Sequence, residues 1–270
     1  MNPWHLLGLE WKRHAPNPTF RFIGILYAAS FVLVVLLARS AGSNMTFTSN
    51  HVTSHPLSGL FVYPQNWSLL ACIGSWMNIF LLGFLGVSMI TMEFGNRTLR
   101  QSVIFGQTRR EVAVAKLAWS AALALAVTGF YLLLGFGGEI VDAAGGPPPF
   151  RCIAGFFIQA LGYLCLGTLA GLLIRQTAMA ALAYLGYVFI VETVCRWIFY
   201  FSVARTRLLL FLPSHVLGAL TPLPVPESVN HLVYSTFTRP LSLFEAGLAA
   251  LGYLAIFAAL FYRVIIKSDL

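Results

Sequence analysis

Few side chains in this sequence could carry out chemistry inside a membrane. Glu192 is the one acidic residue deep within an apolar stretch, and Arg196 follows four residues later. On a helix this spacing places both side chains on one face, where they can form an ion pair. An ionisable residue at membrane depth is also a functional candidate by default. Both interpretations stay open, and the position of Arg196 near the end of the stretch favours a structural pair.

A pair of histidines offers the second chemical pattern. His51 and His55 share the same spacing, as two metal ligands on one helix face would. No third ligand is apparent nearby, and the surrounding residues are rich in Ser, Thr and Asn, so a polar loop is predicted. The sequence also has no Gly-x-x-x-x-Gly-Lys-Ser/Thr motif, which would bind a nucleoside triphosphate. We therefore predict that this chain carries no catalytic residue, metal or cofactor.

The elements that hold these residues follow from the composition. The 270 residues are 58% hydrophobic and only 10% charged, with a mean hydropathy of +0.79, whereas a soluble domain is typically about 25% charged. Backbone groups in lipid must be satisfied within their own segment, so apolar runs of about 20 residues are interpreted as helices. The sequence predicts a single all-α membrane domain with six spans, at about 22–38, 67–92, 113–135, 152–174, 177–199 and 243–266.

Two further segments are apolar but do not span. Within residues 1–20, Trp4, Leu7 and Trp11 recur at helical spacing, which predicts a short interfacial helix. Residues 200–242 form a long loop on the far side of the membrane. Its 208–225 portion is apolar but interrupted by prolines and a glycine, so it is either a re-entrant hairpin or a loop packed on the helices.

The distribution of basic residues predicts the orientation. Six crossings put both termini on one side, and that side holds eleven of the seventeen Lys and Arg residues. Cytoplasmic loops carry an excess of such residues. Both termini are therefore predicted in the cytoplasm of a bacterial plasma (inner) membrane. The net charge of +8 does not indicate nucleic acid, because the basic residues are spread among the loops as contacts to the lipid bilayer would be.

The segment 93–111, between the second and third spans, is basic and contains clear signals for helix ends and a turn. Thr98 to Phe105 can form a short helix, and Gly106 suits its C-terminal cap. Thr108 and Glu111 then form a capping box that begins the next helix. The segment predicts a helix, a sharp turn and a second helix on the cytoplasmic face. Such an exposed helix is either a docking element for another protein or a solvated linker.

This segment resembles the cytoplasmic loop of ABC-2 type permeases, the membrane-spanning subunits of ATP-binding cassette exporters. The resemblance is carried by Glu93-Phe94-x-x-Arg97-Thr98-x-Arg100-Gln101, then Gly106-x-Thr108-Arg109-Arg110-Glu111 and Lys116. Arg97 stands where many members of the family have Gly. The layout of an interfacial N-terminal helix, six spans and an elaborate loop before the sixth is also similar.

The resemblance implies a permease subunit that exports a hydrophobic or amphiphilic substrate. A separate ATPase subunit, which binds ATP and Mg²⁺, would dock on a coupling helix within 94–110, and a second copy or a paralogous permease would complete the pathway. The residues implied in coupling and docking are Glu93, Arg97, Thr98, Arg100, Gln101, Arg109 and Lys116. An ion-coupled secondary transporter and an intramembrane enzyme are the alternatives from other classes.

Overall fold

In the part of the chain that the structure describes, the fold is helical apart from one short hairpin. The structure, a computed structural model, describes residues 3–44, 47–49, 52–54, 63–96, 98–104, 106–139, 147–201, 210–224 and 241–267. Its elements, in chain order, are α1 Pro3–His14, α2 Pro18–Asn44, β1 Phe47–Ser49, β2 Val52–Ser54, α3 Gln65–Met77, a π-helical turn Asn78–Leu82, α4 Gly83–Gly95, α5 Thr98–Ile104, α6 Arg109–Glu139, α7 Phe150–Ile174, α8 Thr177–Leu185, a second π-helical turn Gly186–Val191, α9 Glu192–Phe201, α10 Pro213–Ala219 and α11 Leu243–Lys267.

Among the described residues, six helical stretches are long and apolar enough to cross a membrane, the same number as the predicted spans. The second span combines α3, the first π turn and α4, and the fifth combines α8, the second π turn and α9. Most helices extend a few residues past the predicted apolar limits; α6 covers Arg109–Glu139 rather than 113–135. The reason is that polar capping residues outside the apolar core still complete the first and last turns.

The hairpin joins the first two spans. β1 pairs antiparallel with β2, and Thr48 lies opposite Thr53. Thr, Val and Phe favour extended backbone, but the segment is too short for its pattern to predict strands. His51 and His55 lie outside the described residues, so the expectation that they bind no metal stays a prediction.

The fourth span, α7, packs closely against the second. A Cβ built on Gly167 would lie 2.1 Å from the carbonyl oxygen of Gly83, and one built on Gly171 would lie 2.8 Å from that of Val87. Only glycine permits this approach of two backbones, as in the small-residue contacts of membrane helices. The Gly167-x-x-x-Gly171 pattern therefore serves packing within the chain.

The two π turns face each other across the second and fifth spans. The rings of Phe80 and Phe189 stack with centroids 5.0 Å apart, and the Tyr184 hydroxyl donates to the Ile79 carbonyl at 2.7 Å. A π turn holds one residue more than an α turn and leaves its carbonyls less regularly paired. A hydroxyl from the neighbouring helix therefore satisfies one of these carbonyls.

α10 lies beside the spanning helices rather than beyond their ends. Leu217, fully buried, contacts α7 at Gly162, and the Leu220 carbonyl lies against Gly155. Gly162 is twelve residues into α7, about 18 Å along its axis at 1.5 Å per residue. The described part of the 208–225 segment thus runs alongside the fourth span, as a re-entrant segment would.

Candidate functional site

A buried ionic cluster joins α1 to the ends of the second and third spans. Glu10 and His14 lie four residues apart on one face of α1 and are only 3% and 4% exposed. Their face turns inward because α1 packs on α6, where Trp11 meets Trp119 edge-on at 6.1 Å. Three basic residues in its last turn, Lys12, Arg13 and His14, suit the negative end of the helix dipole.

The other two members of the cluster come from the spanning helices. Glu93, near the end of α4, and Lys116, in the second turn of α6, are 3% and 2% exposed. The Lys116 ammonium donates to carboxylate oxygens of both Glu10 and Glu93. One Arg13 nitrogen, Nη1, lies 3.2 Å from Glu10 Oε1 and 3.6 Å from Glu93 Oε1. Two carboxylates therefore face two basic side chains, Lys116 and Arg13.

His14 completes the cluster. Its Nε2 lies 3.2 Å from both Glu10 Oε2 and Glu93 Oε1, although it points directly at neither oxygen. Its ring stacks on Trp119 with centroids 6.0 Å apart. Burial alone would lower the pKa of His14, but the two carboxylates outweigh it and raise that pKa above its usual value. The protonated imidazole is thereby favoured in the cluster.

The same contacts act on Glu10 in the opposite sense. Burial acts to raise the pKa of its carboxyl, but the nearby His14 ring and the positive charge of Lys116 outweigh burial and lower that pKa to about 2. Glu10 is therefore ionised at any physiological pH. A buried charge of this kind is strongly destabilising when its partner is removed.

The ligand atoms of Glu10, His14 and Glu93 are close enough together to surround a metal ion. The Lys116 ammonium, however, already lies between the two carboxylates, and Arg13 faces them from α1. A divalent cation would have to displace the Lys116 side chain and lie next to the Arg13 guanidinium. The residues present therefore fit an ionic joint between helices better than a metal site.

The cluster reaches α5 through hydrogen bonds. Arg13 Nη2 donates to Ser102 Oγ at 2.8 Å, and Thr98 Oγ1 donates to the Glu93 carbonyl at 3.4 Å. Leu99 is buried against the spans, whereas Gln101 is exposed and Ile104 is 79% exposed. Leu99 therefore lies on the inward face of α5, and Gln101 and Ile104 lie on its outward face.

The turn after α5 also follows its prediction. Gly106 has a φ of +91°, a conformation that glycine adopts without strain. Thr108 Oγ1 accepts from the Glu111 amide at 3.2 Å, and Glu111 Oε2 accepts from the Thr108 amide at 3.0 Å. These reciprocal bonds form the capping box that begins α6.

Of the residues implied in coupling, the structure brings Glu93 and Lys116 together and places Thr98 beside them. Arg109 has a different contact, since its Nη1 donates to the Ile266 carbonyl at the end of α11 at 3.0 Å. Arg97 and the side chain of Arg100 lie outside the described residues. Their part in docking stays a prediction.

Sequence reasoning did not identify Glu10 and His14 as members of this site. A signal existed, because Leu7, Glu10 and His14 fall at i, i+3 and i+7 on one face of α1. A carboxylate and an imidazole on the face that must be buried need partners, and Lys116 lies in an apolar helix with the same need. Pairing them requires the tertiary fold.

The intramembrane candidate, Glu192, is 1% exposed. Its carboxylate accepts from the Ser214 amide at 2.9 and 3.2 Å and from the Ser214 hydroxyl. The carboxylate thus caps the first turn of α10. The side chain of Arg196 lies outside the described residues, so the Glu192–Arg196 pair stays a prediction.

Comparison with known proteins adds no relative to this picture. No protein-family model matches the chain, and no curated protein matches it at a significant level.

Proposed function

We propose that this chain is the permease subunit of an ATP-binding cassette exporter, with ATP hydrolysis on a separate subunit that docks on α5. The observation that supports it best is the ionic cluster. It joins α1, the end of the second span and the start of the third span at one point, and α5 is bonded to that same point. A push on α5 would therefore move two spans together rather than bend a loop.

The exposed face of α5 supports a docking role over a solvated linker. Ile104 is 79% exposed although it lies in a short polar segment, while Leu99 and Ser102 hold the opposite face against the cluster. We infer that this exposed apolar side chain, on a helix whose opposite face is bonded to the cluster, contacts another protein. A solvated linker would need neither the exposed Ile104 side chain nor the hydrogen bond between Ser102 and the cluster.

The spans support a hydrophobic or amphiphilic cargo passing between two copies. Trp76, Phe80 and Phe189 form a stacked, partly exposed aromatic strip on the second and fifth spans. Trp67 and Tyr184, in contrast, are buried within the chain and line no outer surface. We propose that the strip faces a second copy or a paralogous partner, with both termini in the cytoplasm of a bacterial inner membrane.

The test uses the chain purified in mild detergent from the cells that express it. ATP hydrolysis should co-purify with it, and Ile104→Asp should abolish that activity by removing the ATPase. Phe150→Asp is the matched control, because Phe150 is equally exposed, at 82%, but lies at the opposite end of the spans. If Ile104→Asp retained both the ATPase and transport in proteoliposomes, the docking role of α5 would be refuted.

An ion-coupled secondary transporter is the second candidate, and one observation favours it. Both halves of the chain contain an interrupted span, the second and the fifth, and broken helices in corresponding positions are typical of such transporters. The Ile79 carbonyl in the first interruption is already bonded to Tyr184, which removes one ion ligand. Proton-driven transport by this chain alone in liposomes, without ATP, would establish this alternative.

A further inference from the structure

An apolar crevice opens sideways between the first three spans. It has a volume of about 200 Å³ and is walled by α2, by the first π turn with α4, and by α6. Phe20, Gly24 and Ala28 form the α2 wall, and Ala126 and Phe130 belong to the α6 wall. Gly24 and Ala126 are both exposed at its opening. The crevice therefore faces the hydrocarbon of the bilayer.

The walls suit hydrocarbon and nothing polar. Tyr27 carries the one hydroxyl in the lining, and that hydroxyl is committed to Asn78 Oδ1 at 2.9 Å. An apolar cavity of about 150 Å³ stays dry and accepts benzene, so a crevice of this size accepts a longer alkyl segment. Its occupant must be apolar over this whole length.

The length and direction of the crevice match one leaflet. Phe20 and Ala28 are eight residues apart, which is about 12 Å along α2. The hydrocarbon of one leaflet is about 15 Å thick, half of a typical bilayer core. An acyl chain that runs parallel to α2 would fill the crevice from the headgroup region to near the middle of the membrane.

A cation lies at the headgroup end. Arg21 is exposed and shares a face of α2 with Gly24 and Ala28, at i, i+3 and i+7. Its Nε donates to the Ala15 carbonyl at 2.6 Å, and within the described ranges no carboxylate pairs with its remaining nitrogens. α2 begins at Pro18, so the positive end of its dipole faces the same place.

We propose that this crevice is a binding site for one anionic phospholipid from the leaflet on the side of the N-terminus. One acyl chain lies along Gly24 and Ala28, and the phosphate contacts Arg21. The shape of the crevice distinguishes this lipid from the ordinary lipids around the spans, and the guanidinium selects its headgroup. The proposal involves no ATPase and is independent of the transport function.

Gly24 provides a direct test. A Cβ built on Gly24 meets nothing within 4 Å, so a larger side chain begins in open space there and Gly24→Leu is expected to fill the crevice. Gly252→Leu is the matched control, because Gly252 is equally unobstructed and exposed on α11. Ala126→Leu fills the crevice from the opposite wall and guards against a folding defect of the first variant.

The delipidated chain in detergent is titrated with dioleoylphosphatidylglycerol or dioleoylphosphatidylcholine, and bound lipids are counted by native mass spectrometry. The first phosphatidylglycerol should bind the wild type and Gly252→Leu with a preference of about fivefold over phosphatidylcholine, the ratio expected for one arginine at an anionic surface. Gly24→Leu and Ala126→Leu should lose this first adduct. Arg21→Gln should keep the adduct and lose the preference.

Each of the following results would overturn one part of the proposed lipid site. Wild-type binding by both Gly24→Leu and Ala126→Leu would show that the lipids bind elsewhere. An unchanged headgroup preference in Arg21→Gln would remove the phosphate contact. If Gly24→Leu instead dissociated a dimer and left the lipid count unchanged, the crevice would belong to a contact between copies and the lipid site would be refuted.

Discussion

Two glutamates are buried to the same extent in this chain and are held in opposite ways. Glu93 is 3% exposed and faces Lys116, Arg13 and His14, whereas Glu192 is 1% exposed and accepts from Ser214. The first is held by charge and joins three helices, and the second is held by neutral donors and joins α9 to α10. The difference shows which junction depends on ionisation and which on hydrogen-bond geometry.

The largest expected effect comes from removing the central cation. Lys116→Met leaves Glu10 and Glu93 buried with only Arg13 and His14 beside them. It should lower the free energy of unfolding by about 3–5 kcal/mol, as for other buried pairs that lose one partner. Denaturant unfolding in detergent measures this, with Lys116→Arg as the control that keeps the charge. A loss below about 1 kcal/mol would mean that the cluster is hydrated and weak.

The second prediction compares the same substitution at the two carboxylates. Glu93→Gln removes the charge that Lys116 needs and should be strongly destabilising. Glu192→Gln keeps an oxygen acceptor for the Ser214 amide and should cost little, whereas Glu192→Ala leaves that donor unsatisfied and should cost about 1–3 kcal/mol. Unfolding midpoints of the three variants are measured in the same detergent. Equal effects of Gln at both positions would remove the distinction between them.

The third prediction concerns pH. The pKa of His14 is raised from its usual 6.5, so its contribution is complete below pH 6.5 and is lost as the pH rises through the folded pKa. The pKa of Glu10 is lowered from 4.5 to about 2, so its contribution is present above pH 4.5 and is lost as the pH falls toward 2. The cluster should therefore be most stable between about pH 4.5 and 6.5.

Unfolding midpoints recorded from pH 4 to pH 9 check this. His14→Gln should remove the decline on the alkaline side, and Glu192→Ala should keep it because that substitution does not touch the cluster. A decline that survives in His14→Gln would have to come from another group.

The smallest expected effect comes from removing one helix cap at each end of the spans and comparing the two variants. Thr108→Ala and Ser242→Ala each remove a capping box with the same geometry, before α6 and before α11, and each should cost about 1 kcal/mol. On the proposed function, only Thr108→Ala should reduce transport-coupled ATP hydrolysis, because it lies beside α5. Equal losses of activity would assign the effect to general stability.

The elements that could be predicted are those whose signals are local. The length of the apolar runs predicts the six spans. The capping box of Thr108 and Glu111, together with Gly106, predicts the turn before α6. The partners of Glu10 and His14 could not be predicted, because Glu93 and Lys116 lie 83 and 106 residues from Glu10 along the chain. A local pattern can show that a buried charge needs a partner, but only the fold selects one.

Two features escaped prediction for a different reason. The π turns at Asn78–Leu82 and Gly186–Val191 lie in largely apolar sequence, where no polar periodicity marks a change of helical pitch. The contact of Arg109 with the Ile266 carbonyl depends on where α11 ends relative to α6. Neither the pitch of a largely apolar helix nor the relative height of two helix ends is encoded in nearby residues.

The first π turn sets the rotational phase of the second span. Its additional residue rotates the side chains after Leu82 by about 100° about the helix axis, compared with an unbroken α-helix. Glu93 lies beyond that point, and Trp67 lies before it. A deletion of one residue within Asn78–Leu82 would give a straighter helix, yet it would aim Glu93 about a quarter of a turn away from Lys116. The irregular turn is thus the adjustment that lets one helix place an indole in the core at one end and a carboxylate in the ionic cluster at the other.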